Sequence, residues 1–474
     1  MPGFVGRQTE IERLLETTRK KVASFVVVKG RRRIGKSRLI GEFAKRFDRY
    51  YVFAGLPPEK HTTAKDQLNE FSRQIGRQFR TPPAQYQDWG DALWAIGERV
   101  QTGKVLLFFD EISWLGSKDP AFLGKIKNAW DLQFKKNDRL VFVVCGSASS
   151  WIEENLLSST GFVGRISYTL TLEELPLQDC NRFWPAGISA HEKFKILSVT
   201  GGVPKYLEEI DPKRSAEENT KRLCFTRGGF LVEEFGQIFS NIFLRDSEYY
   251  KKLLDILCAG PKEMQEIKRQ LTGEQHGRVS EYLRELELAG FISRDYAWDL
   301  HTGVDARLSQ FRLKDNYLRF YLKYIRKNLS KIERNSYALK SLTSLPEWPV
   351  IMGLQFENLV MNNRKSLHRL LALSPEEIVN ENPFYQRKTV RQPGCQMDYL
   401  IQTKFGTLYV CEVKFSKVAI GSTVIPEVQA KIDALSRPRG MSCRPALIHV
   451  NGVSEEVVDS DYFAHIVDMS ELLG

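Results

Sequence analysis

Phe25-Val26-Val27-Val28-Lys29-Gly30-Arg31-Arg32-Arg33-Ile34-Gly35-Lys36-Ser37 is the stretch that decides the reading of this chain. An apolar run ending in G-x-x-x-x-G-K-[ST] predicts a buried strand that passes through a phosphate-binding loop into a helix. Such a loop turns backbone N–H groups inward, and the helix behind it adds the positive end of its dipole. Gly30 and Gly35 permit the turn, Lys36 reaches the β and γ oxygens of a triphosphate, and the Ser37 hydroxyl can ligate Mg²⁺. Three arginines (Arg31, Arg32, Arg33) crowd the loop around Ile34, which is sterically tolerable because their side chains can point outward. With Arg38 they complete the nucleotide-binding candidates of this segment.

A second apolar run, Val105-Leu106-Leu107-Phe108-Phe109, leads into Asp110-Glu111. Ligands of open α/β sheets bind at the carboxyl ends of the strands, where these two acids would stand. Asp110 is expected to hold Mg²⁺ through water, and Glu111 to polarise the attacking water. Further apolar runs at 51–54 and 140–145 alternate with helix-like segments Thr63–Phe79 and Ala92–Val100, which predicts a parallel sheet with crossover helices. The run at 140–145 ends in Cys145-Gly146-Ser147. Ser147 is the candidate for sensing the γ-phosphate, with Ser149 as the alternative. Arg165, just before the strand-like Ile166–Leu172, is expected either to approach the γ-phosphate or to be a surface arginine. Gly201-Gly202-Val203-Pro204 opens a helical lid.

Past residue 248 the pattern changes. Tyr249–Leu257, Lys262–Leu271 and Arg278–Ala289 read as short amphipathic helices, and Phe291–Asp295 with Arg307–Leu313 as a hairpin. Three helices and a hairpin make a winged helix, whose third helix can lie in a major groove. Gln275, His276 and Arg278 at its start suit DNA, whereas Glu281, Glu285 and Glu287 would repel phosphates. An interaction or lid role is therefore slightly favoured. The aromatics of Tyr317–Lys327 recur at helical spacing and are expected to pack, and the stretch to Trp348-Pro349 reads as a basic linker.

Near the C-terminus, Met397–Ile401 and Leu408–Phe415 read as antiparallel strands around a turn at Gly406, followed by a helix (Ile425–Leu435) and a strand (Ala446–Val450). Strand alternation puts Glu412 and Lys414 on one face, and Asp398 could reach it. Two carboxylates and an ammonium at one point suit Mg²⁺-assisted phosphodiester hydrolysis, with Glu357 as a further ligand. An exposed salt bridge is the bland alternative.

Composition bounds the rest. The chain has 474 residues, 42% of them hydrophobic, enough for two to four domains with real cores. No apolar stretch is long enough to span a membrane, the N-terminus does not resemble a signal peptide, and the seven cysteines form no C-x-x-C pair. A cytoplasmic protein with reduced thiols is the expectation. The net charge is +11, with excesses of +9 in residues 1–50 and +7 in residues 310–345. That is more than ATP needs, and nucleic acid is the natural second polyanion.

Phe4-Val5-Gly6-Arg7-Gln8-Thr9-Glu10, the GRRRIGKS loop, LLFFDEISWL, VVCGSASS and the GGVP segment together resemble the prokaryotic archaeal-type P-loop ATPases, themselves similar to the STAND branch of AAA-like proteins. The resemblance implies an α/β multidomain chain: ATPase core 1–175, helical lid 176–245, winged helix 246–316, basic linker 317–350, and a PD-(D/E)XK nuclease-like domain 351–474. It implies that Phe4, Val5, Gly6 and Arg7 line the adenine pocket. It carries the nuclease motif onto Asp398, Glu412 and Lys414, with Glu357 as the helical acid and a second Mg²⁺ or Mn²⁺ if the site is active. The expected function is an ATP-hydrolysing switch coupled to a DNA-binding, nuclease-like domain. The alternatives are a regulatory ATPase whose C-terminal modules bind protein or DNA without cleavage and, less supported, a metabolic kinase.

Overall fold

Apolar runs such as Phe25–Val28 need cover on both faces, which a central parallel sheet receives. In the computed structural model these runs become β1 (Ser24–Lys29), β2 (Arg49–Ala54), β3 (Val105–Asp110), β4 (Leu140–Gly146) and β5 (Ile166–Thr171). All pair in parallel, in the order β2-β3-β4-β1-β5. The wholly buried β4 thus lies between the phosphate-loop strand and the acid-bearing strand. One face packs Phe25, Phe109 and Phe142 against Trp89 and Trp130, and the other packs Val26, Val28 and Leu106 against Ile40 and Phe43. The expected helices form at Ala64–Phe79 and Trp89–Arg99. Their N-termini are fixed by the Thr63/Asp66 capping box and by the Asp88 carboxylate.

The structure describes residues 3–57, 61–147, 149–242, 247–271, 277–390 and 392–474. The chain divides into two compact units, Pro2–Glu173 and Glu174–Gly474.

In the second unit, helices Ala190–Thr200, Pro204–Glu208, Ala216–Cys224 and Phe230–Ile242 lead into Ser247–Cys258. Then come β6 (Lys262–Glu263), helices Met264–Gln270 and Val279–Leu288, and a hairpin of β7 (Ile292–Trp298) and β8 (Asp305–Leu313). The helix expected from Lys262 starts two residues later because Lys262 and Glu263 pair with Phe311 and Gln310 of β8. Gln275 and His276 lie outside the described residues. The segment read as a basic linker is largely helical (Asn316–Phe320, Arg326–Glu333 and Trp348–Asn362 among others). As expected from their spacing, Tyr317, Phe320 and Tyr324 pack into the core, against Tyr206, Leu254 and Leu283. Arg319 goes in with them, its guanidinium donating to Leu313 O and Gln355 Oε1. One cation of that basic run is therefore a buried structural group.

The C-terminal sheet contains β9 (Ile378–Gln386), β10 (Cys395–Thr403), β11 (Thr407–Phe415), β12 (Ser442–Val450) and β13 (His465–Asp468), in the order β13-β12-β11-β10-β9. Strands β9 to β11 run antiparallel, and β11 to β13 parallel. The helix Val424–Ala434 makes the crossover between β11 and β12 that a parallel pair requires. The β7–β8 hairpin is sealed to this sheet. Trp298 Nε1 donates to Gln402 Oε1 at 2.6 Å, and Ala297, Trp298 and Leu300 share a core with Phe384, Met397 and Leu408. All seven cysteines are free thiols, five of them buried. Among the described residues no helix is long and apolar enough to cross a membrane.

Candidate active sites

The phosphate loop sits where the sequence puts it, at the carboxyl edge of β1. Gly30 has φ +150°, and a Cβ there would meet the Leu172 carbonyl oxygen at 2.4 Å, so only glycine fits. Gly35, at φ +91°, caps the helix Lys36–Ala44 without a side-chain hydrogen bond. The first N–H groups of that helix thus stay available to an anion. Lys36 is buried, and its ammonium donates to the Gly30 and Arg31 carbonyls at 2.9 and 3.1 Å, inside the loop.

The acids converge on the same edge. Ser37 Oγ donates to Asp110 Oδ2 at 2.6 Å, bringing a hydroxyl and a carboxylate to one point; two hard oxygen donors of this kind fit Mg²⁺. The other Asp110 oxygen accepts from Cys145 Sγ at 2.9 Å and from the Glu111 N–H at 3.0 Å. Burial, then the Asp110 charge, pushes the Cys145 thiol well up; it is a hydrogen-bond donor here and not a thiolate. The same two causes raise Tyr50 to about 12. Glu111 has φ +49°, a left-handed conformation that costs a non-glycine residue roughly 1–3 kcal/mol. Ser147 holds its carboxylate there, with backbone N and Oγ each donating to Glu111 at 3.1 Å. Cys145 escaped sequence reading, because only the β3–β4 adjacency reveals its place beside Asp110.

Other candidates fall differently. Arg7 is buried, with φ +66°, and its guanidinium donates to Ile34 O (3.2 Å) and Glu173 O (2.6 Å) and pairs with Glu10. It braces the loop from beneath, beside buried Val5 and Gly6 and half-buried Phe4. Arg38 donates to Gly3 O at 3.0 Å, tying the N-terminal segment to the loop helix. Arg31 is buried, whereas Arg32 and Arg33 are half-buried. Ser149 is buried at the start of a short helix. The structure does not bring Arg165 to the loop. It precedes β5 at the amino edge of the sheet, about one strand length (~20 Å) from the loop. There its guanidinium is bidentate to Asp131. Hydrogen bonding to Arg165 holds the Asp131 carboxyl well below the usual range.

The C-terminal cluster also assembles, with one addition. Lys414 Nζ lies 3.0 Å from Glu412 Oε1, the pair expected from strand alternation, and 3.0 Å from Glu427. Asp398 Oδ2 accepts the Val413 N–H at 2.9 Å. Lys431, on the crossover helix, was missed: its ammonium sits 2.5 Å from Glu412 Oε2 and 3.6 Å from Asp398 Oδ1. The available signal was its i,i+4 spacing from Glu427, which puts both on one helix face. Burial, then Asp398, raises Glu357 to about 8, and burial, then Glu412, raises Asp398. Burial pulls both lysines down, but the carboxylates around them outweigh it and raise them. The cleft beside Glu357 and Asp398 is also lined by Asp295, Gln310 and Arg312 of the hairpin. The expected ligand set of Glu357, Asp398 and Glu412 does not fit a metal in this arrangement. Two ammoniums occupy the Glu412 oxygens, and among the described residues no group of three His, Cys, Asp or Glu is placed to hold an ion.

A glycine-walled phosphate loop with paired acids two strands away in the same sheet defines a P-loop ATPase core. Residues 4–210 match the family model of an ATPase domain predominantly from Archaea. The chain is 26% identical over 357 residues to an uncharacterized protein of Methanocaldococcus jannaschii, covering 75% of each. Among solved structures it is similar to the Walker-type ATPase of Pyrococcus abyssi (16% identity, TM-score 0.49, 67% of this chain and 96% of that one). It is also similar to the Aeropyrum pernix ORC2 protein in its ADPNP-ADP complexes (14%, 0.43, 70% and 95%).

Proposed function

We propose that this chain is a cytoplasmic, Mg²⁺-dependent ATP switch coupled to a nuclease-like module that handles DNA. The observation that carries it is the convergence at one sheet edge of Lys36, Ser37, Asp110 and Glu111, with Ser147 on the last of these. Lys36 turns from the loop carbonyls to the β and γ oxygens, and the helix Lys36–Ala44 presents its free N–H groups to the same phosphates. Ser37 and Asp110 would hold Mg²⁺, which would supply neutralisation of the triphosphate charge. Glu111 accepts the proton of the attacking water. Ser147 holds that carboxylate until a γ-phosphate competes for its hydroxyl, so it couples sensing to the base. A nucleotide-binding measurement with the purified full chain and magnesium tests the reading, and a failure to bind ATP overturns it.

In the second unit, helix–strand–helix–helix–strand–strand order supports a winged helix, and an antiparallel β9–β11 meander continued in parallel by β12 supports a PD-(D/E)XK-like fold. Lys431 favours the version in which this module binds without cutting. Supercoiled plasmid with Mg²⁺ or Mn²⁺ separates the two: nicking that disappears in Asp398→Ala and Lys414→Ala establishes a nuclease. Nicking that survives both substitutions eliminates the site.

A further inference from the structure

The excess positive charge of residues 1–50 is only partly spent on the phosphate loop. The remainder collects at the opposite, amino edge of the same sheet. The register sets the strand starts in a row: Ser24 opposite Val141, Leu140 opposite Val105, and Val105 opposite Arg49. Arg139 and Lys104, immediately before β4 and β3, are therefore neighbours about 5 Å apart, and Lys20 and Lys21 lie at the same edge in the connection from the first helix to β1. Lys135 and Lys136 lie in the turn leading to Arg139. Lys20, Lys21, Lys136 and Arg139 are exposed, and among the described residues none of them is in an ion pair. Around Lys20, Lys104 and Arg139 the surface sinks into a cavity of about 240 Å³ that Thr17, Thr18 and Asp138 also line. Asp138 and Asp48 lie in this row, and Asp131, at the same edge, is taken up by Lys127, Lys135 and Arg165.

We infer that the amino edge of the ATPase sheet is a second polyanion site, which grips the phosphate backbone of duplex nucleic acid. Four exposed, unpaired cations on three adjacent elements make a track for repeated phosphates, and the cavity is large enough to seat one phosphodiester. No aromatic side chain is exposed at this edge among the described residues, so bases have nothing to stack on and a duplex is favoured over a single strand. The contacts are to phosphate only, so binding is independent of sequence and strongly salt-dependent. The site makes no use of the helix Val279–Leu288, whose Glu281, Glu285 and Glu287 oppose phosphate. It adds a location for DNA to the proposed function without depending on cleavage.

The experiment measures fluorescence anisotropy of a labelled 20-base-pair duplex against the full chain at several salt concentrations. The triple variant Lys20→Ala/Lys136→Ala/Arg139→Ala removes only exposed side chains, so folding and ATP binding should be retained; both are checked by thermal unfolding and by nucleotide titration. The expected result is at least a tenfold loss of duplex affinity at low salt, and a log–log salt slope shallower by about 0.9 for each cation removed. An unchanged slope and affinity overturn the inference, as does binding to anionic phospholipid vesicles in the absence of duplex binding. If Asp398→Ala and Lys414→Ala abolish duplex binding while the triple variant keeps it, DNA is held by the C-terminal module and the inference fails. If the wild type never cleaves but the triple variant loses binding, the inference holds although the nuclease reading does not.

Discussion

At the phosphate loop every functional group hangs from the carboxyl edge of one parallel sheet; at the C-terminal cluster the groups come from two strands and two helices. The first site is held open by backbone cost. Gly30 leaves no room for a side chain against Leu172, and Glu111 stands in a left-handed conformation with Ser147 on its carboxylate. The second is closed by its own charges, since Lys414 and Lys431 together take both oxygens of a Glu412 that is almost fully buried. A site that waits for a ligand keeps unsatisfied groups facing outward. A site that neutralises itself needs a reason to open.

The sharpest way to break this contrast is Glu111→Gln. It should lower ATP turnover about 10²- to 10⁴-fold, the usual worth of a general base, while ATP binding persists; normal turnover in a single-turnover assay would place the base elsewhere. Lys36→Ala should weaken ATP at least ~100-fold, close to 3 kcal/mol, read by titration calorimetry. At the other site, Lys431→Ala should do the opposite of a typical site mutation and strengthen Mn²⁺ binding about tenfold, measured by Mn²⁺ paramagnetic resonance, because it frees oxygens of Glu412 and Asp398. Unaltered Mn²⁺ affinity would mean that the ammonium does not guard the cluster.

The smallest effect concerns pH. His449 of β12 is buried, which pulls its imidazole below the usual value against the opposing charges of Asp468 and Glu471. Its Nδ1 accepts the Gly452 N–H at 3.2 Å. The unfolded chain therefore takes up this proton more readily, so the stability that His449 contributes is intact above about pH 6.5 and is lost as pH falls below it. Thermal unfolding should show a decline in stability below that pH that His449→Gln flattens.

The contrast also explains what could be read in advance. The phosphate loop, the Asp110-Glu111 pair and Ser147 were legible because each lies at the end of an apolar run, and a parallel sheet brings run ends together. The Glu412–Lys414 pair followed from two-residue alternation. Lys431 was not legible, since its approach to Glu412 depends on how the crossover helix settles on the sheet. Arg165 was left open between the γ-phosphate and the surface, and its position just before β5 puts it at the amino edge of a parallel sheet. The run beyond residue 316 read as a basic linker, yet Arg319 is enclosed, its two terminal nitrogens donating to backbone carbonyls and Gln355 in place of water.

The seam between the hairpin and the C-terminal sheet has a consequence for how such chains diversify. Trp298 and Gln402 belong to stretches a hundred residues apart in sequence, yet each satisfies the other in a dry interior. A recombination that exchanged only the last quarter of the gene would strand an indole without its acceptor. Successful shuffling would therefore inherit hairpin and sheet as a single cassette.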